Sequence, residues 1–265
     1  MKKSDQFNGK KTALVTGASS GIGYELSKLF AQDGFDLVLV ARNNQRLEQL
    51  ADELKENFGI SVKVISKDLS VVTSPQEIFD ELQQESIRID ILVNDAGVGL
   101  FGHFSETDLI KELQMIQVNL VSLTHLTKLF LPEMLKYGYG KILNVGSIGS
   151  FTPNPLSAVY GATKAYVLSF SEAIAEELQG TGITVTALCP GPTKTNFHKR
   201  AQVDDTKHEG MDARTVAEIG YRSLLKGRRI VIPGIFNKLQ IFLTRFMPRN
   251  LIAKIAKNLM SEHLE

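Results

Sequence analysis

The chain of 265 residues has little of what staples a small secreted domain or anchors a protein across a membrane. Its one cysteine, Cys189, allows no disulfide within the chain, which fits a reducing compartment such as the cytoplasm. No apolar run approaches the roughly 18 residues of a membrane-spanning helix. The longest strand-like run, 35–41, is far shorter and contains Asp36. The opening MKKSDQFNGKK is polar and lacks a signal-peptide core. His103, His125, His198, His208 and His263 form no close-set ligand pattern, so no metal is expected. There is no Pro/Gly/Ser linker, repeat or low-complexity tract, which points to one domain over 1–265. A formal net charge of +1 gives no ground to expect a nucleic-acid partner.

What is present is an ordinary globular composition, 43% hydrophobic, enough for a large core. Short β-branched runs at 12–16, 36–40, 62–66, 89–93, 141–145 and 184–188 alternate with helical periodicity at 21–33, 44–58, 74–85, 107–137 and 157–179. A further helical stretch, 213–226, precedes a short run at 229–233. Such alternation predicts βαβ units: an α/β, three-layer, doubly wound Rossmann-type sheet of about seven mostly parallel strands, covered by helices on both faces. The least periodic part, 194–210, reads equally as a flap over a ligand or as a long surface loop.

The first strand runs into Thr16-Gly17-Ala18-Ser19-Ser20-Gly21-Ile22-Gly23, and a helix follows directly. Glycines permit a tight turn and close backbone approach to a pyrophosphate. The free N–H groups of the helix's first turn, with its dipole, attract the phosphates. A glycine-rich pattern alone is weak, but between a strand and a helix it has the required context. The second strand ends at Arg42 and Asn43, where an adenosine ribose would lie. A guanidinium can pair bidentately with the 2′-phosphate of NADP, where a carboxylate would repel it. Asp36 stands at the strand's other end, roughly 13 Å away at about 3.3 Å per residue.

The spacing Gly-x3-Gly-x-Gly resembles the short-chain dehydrogenase/reductase family, and the resemblance extends from Lys11 to about Phe197. It implies cofactor contacts by Gly17, Ser19, Ser20, Gly21, Ile22 and Gly23. It also implies that Asp68 accepts from the adenine amino group while the Leu69 N–H meets the ring, although helix N-capping by Asp68 is nearly as good a reading. Asn94-Asp95-Ala96-Gly97 is similar to the family's Asn-Asn-Ala-Gly, with Asn94, Ala96 and Gly97 along the cofactor. Asp95 departs from that pattern and should need a cationic or N–H partner. Tyr160 and Lys164, at i and i+4, share one helix face, and an ammonium there disfavours protonation of the phenol. With Ser147 and Asn119, a polar amide in an apolar stretch, they match the family's catalytic tetrad. Pro190-Gly191-Pro192-Thr193-Lys194-Thr195 resembles the segment that holds the nicotinamide, which implies contacts from Pro190, Gly191, Thr193 and Thr195.

The resemblance therefore implies an oxidoreductase moving a hydride between NADP(H) and a carbonyl or secondary alcohol. Tyr160 would act as acid/base, Ser147 would hold the oxygen, Lys164 would position the ribose and Asn119 would relay protons through water. A 3-oxoacyl-thioester reductase and a non-catalytic NADP sensor are the alternatives. The pocket is expected from 98–104, 148–157 and 194–210, where Phe101, Phe104, Phe151 and Phe197 suggest a hydrophobic substrate. A homodimer or homotetramer is expected, since 107–137 is apolar around much of its circumference and family members pair these helices. Finally, 219–261 holds nine Lys/Arg and no Asp/Glu, leaving 21 against 29 elsewhere. Over the basic helical extension 234–265, Leu251, Ile252, Ile255, Leu259 and Met260 share a face opposite Lys254 and Lys257. Packing of this extension on the body is expected ahead of contact with an anionic membrane.

Overall fold

The computed structural model describes residues 10–195, 197 and 210–261. A seven-stranded sheet, wholly parallel, forms its centre. The strands are β1 (Thr12–Thr16), β2 (Asp36–Ala41), β3 (Val62–Ser66), β4 (Ile91–Asn94), β5 (Gly140–Val145), β6 (Ile183–Leu188) and the outer β9 (Ile230–Val231). Their spatial order is β3-β2-β1-β4-β5-β6-β9, with β7 (Thr193–Lys194) and β8 (Met211–Asp212) pairing apart as a short parallel ribbon. The order reverses between β1 and β4, and a ligand crevice is expected at the carboxyl ends there.

Neighbouring residues of each strand face opposite layers, so helices cover both sides. Ala13 and Val15 of β1 join the core under α1 (Gly21–Gln32), α2 (Asn44–Phe58) and α7 (Ala213–Leu225). Leu14 joins the other core, under α3 (Ser74–Gln84), α5 (Leu123–Tyr137) and α6 (Ala158–Glu177). Phe30 and Phe130, each 1% exposed or less, are the largest side chains of the two layers. Truncating either to Ala is expected to cost about 3–5 kcal/mol. α2 shows how locally the ends are set: Asn43 caps its N-terminus by accepting from Arg46 N–H at 3.0 Å, and Gly59 ends it at φ 61°.

The stretch 107–137 is not one helix. α4 (Leu109–Ile116) passes through a π-helical segment, Gln117–Ser122, into α5. The wider turn turns Asn119 inward, where its amide makes a two-way exchange with Val98. It accepts from Val98 N–H at 3.0 Å and donates to Val98 O at 2.9 Å. Two helices close the described chain, α8 (Ile235–Thr244) and α9 (Arg249–Ser261). They line the cavity at the site end of the sheet.

Candidate active site

The phosphate turn is built by close approach. Thr16 Oγ1 donates to Val93 O at 3.1 Å and accepts from Asp95 N–H and Ala96 N–H, each at 3.1 Å, locking the end of β1 to that of β4. A Cβ on Gly17 would stand 3.0 Å from Ala96 N, and one on Gly23 would stand 2.6 Å from Asp95 Oδ2. Gly17 also has φ +73°, which side chains rarely adopt. Asp95 Oδ2 accepts from Gly23 N–H at 2.9 Å. It thus has the N–H partner that its substitution for Asn called for, and Lys164 supplies the cation.

A cavity of about 770 Å³ opens at this seam. It runs from Gly17, Ser20, Gly21 and Ile22 past Ala96 and Gly97 to Ser147, Tyr160 and Lys164. Pro190, Gly191, Thr193 and Thr195 line it opposite. The first-turn N–H groups of α1 and the glycine cradle fit a dinucleotide pyrophosphate.

Other cofactor candidates lie away from this wall. Arg42 and Asp68 sit past the ends of β2 and β3 and form an exposed pair at 3.9 Å. Asp68 Oδ1 accepts from Ser70 N–H at 2.9 Å, a turn rather than a helix cap. Leu69 is buried, its carbonyl accepting from Ser122 Oγ at 2.7 Å. Asn94 braces the sheet, donating to Asn144 Oδ1 at 2.9 Å and Thr127 Oγ1 at 3.2 Å. Ser19 is in the turn, and the Asn43 side chain is engaged by its cap.

Tyr160 and Lys164 stand one turn apart on α6, with Lys164 Nζ 5.8 Å from the Tyr160 ring centroid. Nζ donates to Val145 O at 2.8 Å. Asn119 reaches the same helix by donating to Thr163 Oγ1 at 3.1 Å. Ser147 caps a 3₁₀ turn, Ile148–Phe151, by accepting from Gly149 N–H at 3.1 Å, and it hydrogen-bonds Tyr160. The phenol lies between Phe101 at 5.9 Å and Phe197 at 5.6 Å.

Burial dominates the charges here. It pushes the Tyr160 phenol up to about 12, with the Ser147 hydrogen bond pulling the other way. This corrects the expectation that the neighbouring ammonium sets the phenol: desolvation is the largest influence on it. Burial likewise lowers Lys164 to about 8, against the opposing pull of Asp95. It raises Asp95 to about 7, against the pull of Lys164.

This geometry has close relatives. Residues 11–206 match the model of the short chain dehydrogenases. The chain belongs to the short-chain dehydrogenase/reductase family. It is an oxidoreductase of that family, acting at the carbonyl or CH–OH group. A short-chain dehydrogenase from Sphingobium yanoikuyae, solved in complex with NADPH, superposes with a TM-score of 0.81 at 32% identity, covering 90% of this chain and 97% of that one. Sulfoacetaldehyde reductase 2 of Chromohalobacter salexigens is 37% identical over 69% of this chain and 73% of its own. The very-long-chain 3-oxoacyl-CoA reductase of Anas platyrhynchos is 32% identical over 81% and 70%.

The far wall of this oxidoreductase's cavity was not legible in the sequence. α8 and α9, with the turn between them, supply Asn237, Gln240, Ile241, Met247, Ile252 and Met260. A Cβ on Gly191 would meet Asn237 Nδ2 at 2.6 Å, so α8 rests directly on the Pro190–Gly191 turn. The apolar stripe 251–260 was visible, but not what it faces. Most of the expected flap, 194–210, lies outside the described residues.

Proposed function

We propose that this protein is an NADPH-dependent reductase of a hydrophobic ketone or aldehyde. One observation carries the reading: the buried Lys164 with half-buried Tyr160 and Ser147 lies in the same cavity as the glycine cradle and an apolar wall of Ile241, Met247, Ile252 and Met260. A bound nicotinamide dinucleotide would supply the hydride. Ser147 and the Tyr160 hydroxyl hold the substrate oxygen, and Tyr160, protonated at neutral pH, donates the proton as charge grows on that oxygen. Lys164, still largely charged near neutrality, hydrogen-bonds the nicotinamide ribose and offsets charge on the phenolate. Asn119, locked to Val98 and Thr163, shapes the path by which the proton is replaced. Pro190, Gly191, Thr193 and Thr195 orient the carboxamide. Arg42 holds the 2′-phosphate, with Asp68 and the Leu69 N–H at the adenine. A non-catalytic sensor has no need for a phenol–ammonium pair lining this cavity.

The apolar wall also favours a second reading, a 3-oxoacyl-thioester reductase whose acyl chain lies along Ile252 and Met260. NADPH consumption over a panel of aryl and alkyl ketones, a steroid ketone and medium and long 3-oxoacyl thioesters tests both. Turnover confined to small hydrophilic aldehydes such as sulfoacetaldehyde would overturn the hydrophobic-substrate reading.

A further inference from the structure

α8 wears its polarity inside out. Asn237, Gln240, Ile241 and Thr244 face the cavity, and only Ile241 of the helix is buried. Outward stand Ile235, Phe236, Leu239 and Phe242, exposed by 52 to 83%, and Leu243, 50% exposed, borders both this face and the cavity. Phe246, in the turn that prolongs the helix, is 73% exposed and packs edge-on against Phe242 at 5.3 Å. At about 100° per residue, these six fall within an arc of roughly 120°. Single exposed apolar residues are ordinary, but a contiguous stripe of six marks an interaction surface.

The charge around the stripe says what kind. Lys238 and Arg245 flank one edge, and Arg249, Lys254 and Lys257 of the next helix, α9, are exposed too. Between residues 219 and 261 there is no acidic residue. Two copies paired face to face would set these cations against each other with no carboxylate of the segment to answer them. An anionic lipid surface meets both demands, taking the apolar stripe below its headgroups and the cations among them. Among the described residues no helix is long and apolar enough to cross a membrane, so the contact would be peripheral.

We propose that the outward face of α8, with the cations of α8 and α9, docks this protein on an anionic lipid surface. The inference stands on the surface alone and is independent of the reaction proposed above. The test is co-sedimentation of the full chain with phosphatidylcholine vesicles, with and without about one third phosphatidylglycerol. The expected result is binding to the anionic vesicles only, weakened by salt. Phe236→Ser/Phe246→Ser is expected to weaken it by at least about 100-fold. Lys238→Gln/Arg245→Gln should weaken it by on the order of 10-fold or more. Both variants should keep the parent melting temperature, since these side chains already face water. Absence of vesicle binding overturns the proposal, as does equal binding to the neutral vesicles. So does a fall in solution mass for Phe236→Ser/Phe246→Ser, which would show that a second copy covers the face.

Discussion

Asp95 Oδ2 accepts a hydrogen bond from Gly23 N–H at 2.9 Å, joining the end of β4 to the first turn of α1 across 72 residues of chain. The same carboxylate supports the charge on Lys164. One acid thus ties the phosphate turn to the ammonium beside Tyr160.

That acid should be read out in stability. Its pKa is raised from the ordinary value near ~4 to about 7, so the folded protein binds more protons than the unfolded chain between those limits. Its contribution is therefore present below that window and lost as pH rises through about 7. Asp95→Asn is expected to flatten the pH dependence of the urea midpoint between about 4 and 7. It should also move loss of activity at alkaline pH to lower pH, since Lys164 loses its supporting charge. Unchanged pH profiles in both measurements would remove the coupling.

Tyr160→Phe keeps the ring between Phe101 and Phe197 and removes the transferable proton. Cofactor binding is expected to persist, while turnover falls about 10²–10⁴-fold. A variant within threefold of the parent rate on a true substrate takes Tyr160 out of the reaction.

Arg42 and Asp68 are both well exposed and 3.9 Å apart, so little holds the guanidinium to its partner. It is available to a 2′-phosphate. NADPH is expected to bind at least about tenfold more tightly than NADH, and Arg42→Ala should erase the difference. Equal affinities in the parent, measured by titration calorimetry, would falsify the assignment.

On the outside of α4, the π segment and α6, the large side chains Leu109, Ile110, Leu113, Val121 and Tyr166 remain exposed. Tyr166 bonds Thr124 across the two helices at 2.9 Å and stacks on Phe170. This face suits a two-fold pairing of helices. Light scattering at micromolar concentration should give at least two chains per particle, and Leu113→Glu/Tyr166→Glu should give one. A parent mass of one chain sinks the pairing.

The layered fold was legible because its signals are local. β1, β3 and α2 have the limits that alternation, periodicity and capping residues indicated, and the glycine turn fell where a strand meets a helix. The π segment was not legible. One extra residue per turn rotates the pattern by about 100°, and Leu113, Met115, Val118, Leu120 and Val121 are apolar on either side of that rotation. The part played by α8 was hidden for a different reason. Nothing in 235–244 tells a reader that Asn237 rests on Gly191, a contact between distant parts of the chain. A signal did exist: Asn237, Gln240 and Thr244 recur on one face opposite Ile235, Leu239 and Phe242. Such a face can point into a polar-lined site as readily as into water.

The strand order also sets when this site can come into being. β1 pairs with β4 through Ala13–Ile91, Leu14–Leu92 and Val15–Val93, partners about 78 positions apart. Parallel neighbours cannot be closed by a hairpin, and contacts so distant in sequence form slowly. A nascent chain that has emerged only to β3 has the glycine turn but no opposite wall, and so cannot grip a dinucleotide. Pulse-labelled hydrogen exchange during refolding should accordingly protect Leu39 and Ile65, in the β2–β3 pair, before the Asp95 and Ala96 amides.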